Sequence, residues 1–140
     1  MQKELSAEIE QQVGFYDVDS MDIVWHGNYV KYLEDARCAL LNIIDYDYIR
    51  MRDSGYAWPV VSLNIKYIKP CRFLQKIKIK ATLTEYENCL KIKYLITDSK
   101  TDEKLSKAET MQMAVDMKSR ESCFECPSIF TDKVKKYLGK

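Results

Sequence analysis

The sequence predicts an α+β fold in which a curled antiparallel sheet wraps around one long helix, and three observations carry that prediction. Apolar residues recur at three-and-four spacing from Tyr29 to Ile44, the mark of an amphipathic helix. Separate stretches before and after it alternate apolar and polar residues with period two, as half-buried strands do. The connections Glu87-Asn88 and Asp98 to Glu103 are short and rich in turn formers, which makes the later strands antiparallel neighbours.

Taken in order, Glu8 to Val18 sets Ile9, Gln11, Val13 and Phe15 against Glu10, Gln12, Gly14 and Tyr16, a first strand that runs into the acidic turn Asp17-Val18-Asp19-Ser20. The helix follows from Gly27-Asn28, with Asn28 as candidate N-cap. At 1.5 Å per residue its roughly 16 residues span about 24 Å, enough to cross a small sheet. Lys31, Glu34, Asp35 and Arg37 form its polar side. The stretch from Asp45 to Pro59 has no period and reads as irregular. Val60 to Lys69 places Val61, Leu63, Ile65 and Tyr67 on one face and stops at Pro70. Lys76 to Tyr86 and Cys89 to Thr97 alternate cleanly. The last run, Lys104 to Met117, puts Met111, Met113, Val115 and Met117 on one side, a stripe that reads as core packing, and it is long enough for a bulge. A short helix, Ile129 to Leu138, closes the chain.

The chain has 140 residues, 46% hydrophobic and 11% aromatic, so it reads as one compact domain able to build its own core. Disorder is excluded as the main state. A balance of 22 Lys+Arg against 21 Asp+Glu leaves a net charge of +1; this gives no global field for nucleic acid or an anionic membrane. No stretch approaches the roughly 18 apolar residues of a membrane span, and MQKELSAEIEQQ has no signal-peptide pattern, so a cytoplasmic location is expected. The odd number of cysteines, five, argues for reduced thiols rather than a disulfide framework. An open sheet leaves edges that need covering, which points to a homodimer or homotetramer.

Chemistry concentrates in Phe15 to Tyr29, FYDVDSMDIVWHGNY. Three carboxylates, the sole histidine His26, a Trp and a helix start fall within it. Amide groups at a helix start have no intrahelical acceptor, so they suit an anion or a developing oxyanion; a nearby carboxylate suits a general base or nucleophile. Turn formation by Asp17 and Asp19, with a structural His26, accounts for the same residues. Spacing alone does not separate the two readings.

The segments Tyr16-Asp17-Val18-Asp19, Ile23-Val24-Trp25-His26-Gly27-Asn28-Tyr29 and Tyr32-Leu33-Glu34-Asp35-Ala36-Arg37, with Val60 to Arg72 beyond them, resemble the hotdog-fold acyl-CoA thioesterases of the 4-hydroxybenzoyl-CoA thioesterase type. The resemblance covers roughly Glu8 to Val115 and implies the hotdog fold. It implies a thioester hydrolase in which Asp19 attacks the carbonyl or activates water, and in which the backbone N–H of His26 polarises the thioester oxygen. Asn28 would cap the helix or touch substrate. Ser62 and Asn64 would line a neighbouring subunit's site. The substrate would be an acyl-CoA, with no metal or other cofactor, coenzyme A being part of the substrate. An acyl-carrier-protein thioesterase and a non-catalytic acyl-CoA binder are the alternatives.

The chain departs from the family pattern at Asp22, where Gly is usual and a positive-φ turn is expected, and at Glu109, near a common Gly. Cys123-Phe124-Glu125-Cys126 has metal-type spacing, but no second Cys/His pair follows to complete four ligands. The Lys76, Lys78 and Lys80 row reads as a solvated face or a basic rim for phosphates.

Overall fold

The computed structural model describes residues 3–140. Strand β1, Ser6–Gln12, precedes a long helix α1, Tyr29–Ile43, and a short helix α2, Tyr48–Asp53. A two-residue strand β2, Tyr56–Ala57, leads into β3, Val60–Tyr67. Strands β4, Lys76–Glu85, β5, Leu90–Asp98, and β6, Lys104–Gln112, form the meander. Strand β7, Val115–Asp116, pairs with β2, and helix α3, Ser128–Leu138, ends the described chain. The main sheet has the order β1-β4-β5-β6-β3 and its pairs are antiparallel. It curls around α1, the arrangement expected from the sequence.

Helix α1 buries Tyr29, Tyr32, Leu33, Ala36, Leu40 and Leu41. Opposite them lie Ile77, Ile79 and Ala81 of β4 and Leu90, Ile92 and Ile96 of β5, each at most 1% exposed. Each of the Leu and Ile side chains contributes about 1.5–3 kcal/mol when fully buried. The helix stops where Asp45 adopts φ 53, a left-handed conformation that Asp tolerates better than most residues. At the far end α3 inserts Phe130, whose ring lies 5.1 Å from Trp58 and 5.8 Å from Tyr46.

The period of α1 is as read, but its charges are not arranged as expected. Arg37 is only 6% exposed, although its neighbours suggested a solvated face. Lys31 reaches off the helix to pair with Asp17 at 3.0 Å. The first strand also ends earlier than its alternation implied. After Gln12 the chain turns into one 3₁₀ turn over Phe15–Asp17, because the Asp17 carboxylate accepts the Gly14 N–H at 3.1 Å and draws the backbone round. The supposedly irregular stretch 45–59 contains α2, whose Asp47 side chain caps it by accepting the Arg50 N–H at 2.9 Å.

The last strand carries the largest correction. Its core face holds Ser106, Thr110 and Gln112, all buried, and the Met111 and Met113 side of the strand is only half-buried. The register explains the reversal: Ser106 pairs with Ile96, Ala108 with Tyr94 and Thr110 with Ile92, so these residues share the inner face. Thr110 shares a hydrogen bond of 2.8 Å with the Tyr94 hydroxyl, and Gln112 Nε2 donates to the Trp58 carbonyl at 2.7 Å. Such partners offset the cost of burying polar groups, and hydropathy alone does not register them.

Candidate active site

The segment from Asp17 to Val24 folds back on itself as a small hairpin. Asp19 N–H donates to the Ile23 carbonyl at 2.8 Å, and Asp22 N–H to the Asp19 carbonyl at 3.1 Å. Asp22 sits at φ 61, the positive-φ conformation expected where a glycine is usual. The hairpin is anchored to the strand-end segment by Val24 N–H to Cys71 carbonyl, 2.8 Å, and by a bridge between Ile23 and Arg72.

This turn presents Asp19 at the surface. One carboxylate oxygen, Oδ1, accepts the Met21 N–H at 2.8 Å, a local turn bond that fixes the side chain. The other oxygen has no hydrogen-bond partner among the described residues. Asp19 and His26 line the same cleft of about 370 Å³, together with Val24, Tyr29 and the strand-end residues Tyr67 to Pro70. The structure therefore brings together the two residues that the sequence singled out as catalytic.

A 3₁₀ turn over His26–Asn28 leads directly into α1. The amides of His26 and Gly27 donate to no backbone acceptor among the described residues. They form the unpaired donor end of the helix, where partial positive charge accumulates. The turn is held from three sides. Tyr67 Oη donates to the His26 carbonyl at 3.0 Å, Trp25 N–H donates to the Asp17 carbonyl at 3.0 Å, and the Trp25 ring lies 4.9 Å from the imidazole. Gly27 permits this because a Cβ there would strike the Trp25 ring.

Asn28 stands at the helix boundary, but its side chain does not cap the helix. Its Nδ2 donates to the Asp17 carbonyl at 2.8 Å, so it ties the acidic turn to the helix start. Ser62 and Asn64 lie elsewhere in their own chain. They pair with Met111 and Glu109 on the outer face of the sheet, and Asn64 lines a separate lysine-rich depression of about 570 Å³.

Asp17, read from sequence as a turn former, is the organiser of the site. It is 5% exposed. Burial pulls its pKa upward, but the Gly14 N–H, the Lys31 ammonium and the Tyr32 hydroxyl outweigh burial and hold the carboxyl below its ordinary value. The Tyr32 hydroxyl lies beside this carboxylate without reaching hydrogen-bond geometry, and burial pushes its pKa up. The sequence signal for this role is the carboxylate two residues before Asp19, with Lys31 one helical turn inside α1. Cys126 is buried and its thiol is pushed up to about 12, first by burial, which makes it a packing residue. Among the described residues no group of three or more His, Cys, Asp or Glu is placed to hold a metal.

A curled sheet around a central helix, with an acidic turn at the helix N-terminus, is the hotdog fold. The thioesterase-like superfamily profile matches residues 13–135, and the chain belongs to that family. A provisionally assigned acyl-CoA thioesterase of Bacillus subtilis, YneP, is 32% identical over 77 residues, 55% of this chain and 56% of that protein. The match thus spans about half the length of such relatives. Two solved structures share the fold. The 1,4-dihydroxy-2-naphthoyl-CoA thioesterase of Synechocystis superposes with TM-score 0.83 at 18% identity, covering 92% of this chain and 95% of that one. A 4-hydroxybenzoyl-CoA thioesterase variant complexed with 4-hydroxybenzoyl-CoA gives 0.79 at 16%, covering 92% and 98%.

Proposed function

We propose that the protein is an acyl-CoA thioesterase, and the observation that carries this reading is the shared cleft of Asp19 and the α1 N-terminus. The unpaired amides at His26 and Gly27 hold the thioester oxygen and stabilise the charge that develops on it, a contribution worth about 3–4 kcal/mol where such donors have been removed. Asp19 either adds to the carbonyl carbon or takes a proton from attacking water. In either route the C–S bond breaks and coenzyme A leaves as a thiolate that takes up a proton; in the first route water then hydrolyses the acyl–Asp19 anhydride, and in both the free acid is released. The imidazole is not required as a base; the main chain of His26 is the active part. No metal or further cofactor enters the scheme.

The functional unit is a homodimer formed through β3, alone or within a tetramer. The support is that β3 is an edge strand with Val60, Val61, Leu63 and Tyr67 between 44% and 50% exposed, a long apolar edge of the kind that proteins cover. The assignment of Ser62 and Asn64 to substrate depends on this pairing, which sets them about 4.8 Å from the partner subunit's β3. The direct test is hydrolysis of an acyl-CoA panel by the wild type and by Asp19→Ala. A fall in kcat of at least about 100-fold is expected, the scale of general-base loss; activity that survives the substitution overturns the assignment.

A further inference from the structure

Each amide at the open end of α1 shares a peptide plane with a carbonyl, and the trans peptide sets the two groups pointing in opposite directions. Whatever holds the carbonyl therefore aims the amide. The His26 N–H shares the plane of the Trp25 carbonyl, which accepts the Asn28 N–H at 2.8 Å, a bond made inside the turn itself. The Gly27 N–H shares the plane of the His26 carbonyl. That carbonyl accepts the Tyr29 N–H and, from outside the turn, the Tyr67 hydroxyl at 3.0 Å.

The Tyr67 hydroxyl is itself fixed in place. Tyr67 ends β3 and pairs with Ser106 of β6, and its ring meets Tyr29 edge-to-face with centroids 4.9 Å apart. Tyr29 is 2% exposed, and its own hydroxyl accepts the Cys71 N–H at 3.1 Å. One chain of contacts thus runs from the strand-end segment to the peptide between His26 and Gly27. We infer that Tyr67 is a positioning residue for the oxyanion site: its hydroxyl aims the Gly27 N–H and, by drawing charge onto the His26 carbonyl oxygen, makes that N–H a stronger donor. Hydrogen bonds joined through one peptide group reinforce each other in this way, by about 10–30% per bond. The gain is realised only as charge builds on the thioester oxygen, so it belongs to the transition state rather than to substrate binding. The inference rests on the thioesterase reading and gives Tyr67 no direct contact with the reacting atoms.

Tyr67→Phe keeps the ring against Tyr29 and removes only the hydroxyl. With benzoyl-CoA and octanoyl-CoA as probes, kcat is expected to fall about ten-fold at nearly constant KM, less than the roughly 100-fold or more that loss of an oxyanion donor itself brings. The peptide is read directly by NMR of protein isotope-labelled at its glycine nitrogens, since the chain has four glycines. The Gly27 amide signal is expected to shift in Tyr67→Phe while those of Gly14, Gly55 and Gly139 stay in place. A KM that rises at unchanged kcat means that Tyr67 grips bound substrate, and it overturns the proposal. Wild-type kinetics in the variant, or a Gly27 signal that does not move, overturns it equally. A wild type that hydrolyses neither ester defeats the thioesterase reading and this inference with it, an outcome told apart by the absence of turnover before any substitution.

Discussion

Asp17 and Asp19 stand two residues apart in opposite environments, and their roles follow from that difference. Asp17 is buried under Lys31, Gly14 and Tyr32, whereas Asp19 is exposed and has one oxygen free of local bonds. Because the folded pKa of Asp17 lies below its ordinary 3.8, its stabilisation is fully present above that value and is lost as pH falls through and below it. Asp17→Asn is therefore expected to cost about 1.5–3 kcal/mol at pH 7, the worth of a charge-assisted hydrogen bond, with the gap to wild type closing below pH 3.8. Urea denaturation at several pH values measures it, and a gap that stays constant down to acid rules out the ionic role. At this scale the sequence flagged both carboxylates but not which of them is buried and which exposed, a difference set by the tertiary packing.

The hairpin of residues 18–24 shows how an element sets the position of a side chain. Its turn requires Asp22 at φ 61, a region open to Gly and tolerated by Asp but costly for β-branched residues. Asp22→Gly is expected to change stability by less than about 1 kcal/mol, since relief of strain and added chain entropy offset each other. Asp22→Val should cost about 1–3 kcal/mol. Equal thermal denaturation midpoints for the two variants would contradict this account. The element-level misreadings share a cause. The polar inner face of β6 and the buried Arg37 are residue types whose burial depends on partners, Tyr94 and Trp58 among them, and periodicity carries no information about partners.

At the scale of the whole molecule, the exposed edge at β3 is the surface through which the proposed dimer would form, so on that reading assembly and activity are lost together. Leu63, 44% exposed, lies on the inner face of the edge opposite Thr110. A charge there leaves the isolated chain nearly unaffected, in line with surface changes of about 0.5 kcal/mol or less, while it blocks strand-to-strand pairing. Leu63→Lys is expected to shift the protein to a monomer by sedimentation and to remove thioesterase activity with it. A monomeric variant that keeps full turnover would show that one chain is sufficient.

The sequence by itself determined the helix over Tyr29–Ile43, the alternation of β4 and β5, and the candidates Asp19 and His26, because each is written in local periodicity or in a short motif. Only the tertiary structure decided which face of β6 is inner, that Asn28 binds the Asp17 carbonyl instead of capping the helix, and that Tyr67 clamps the His26 carbonyl across 41 residues of chain. It also decided that the cavity lined by Tyr48, Met51, Trp58 and Met117 lies at the opposite end of β3 from the Asp19 cleft. These depend on contacts between residues far apart in the chain, whose energies are set by burial and partner geometry rather than by neighbours in sequence.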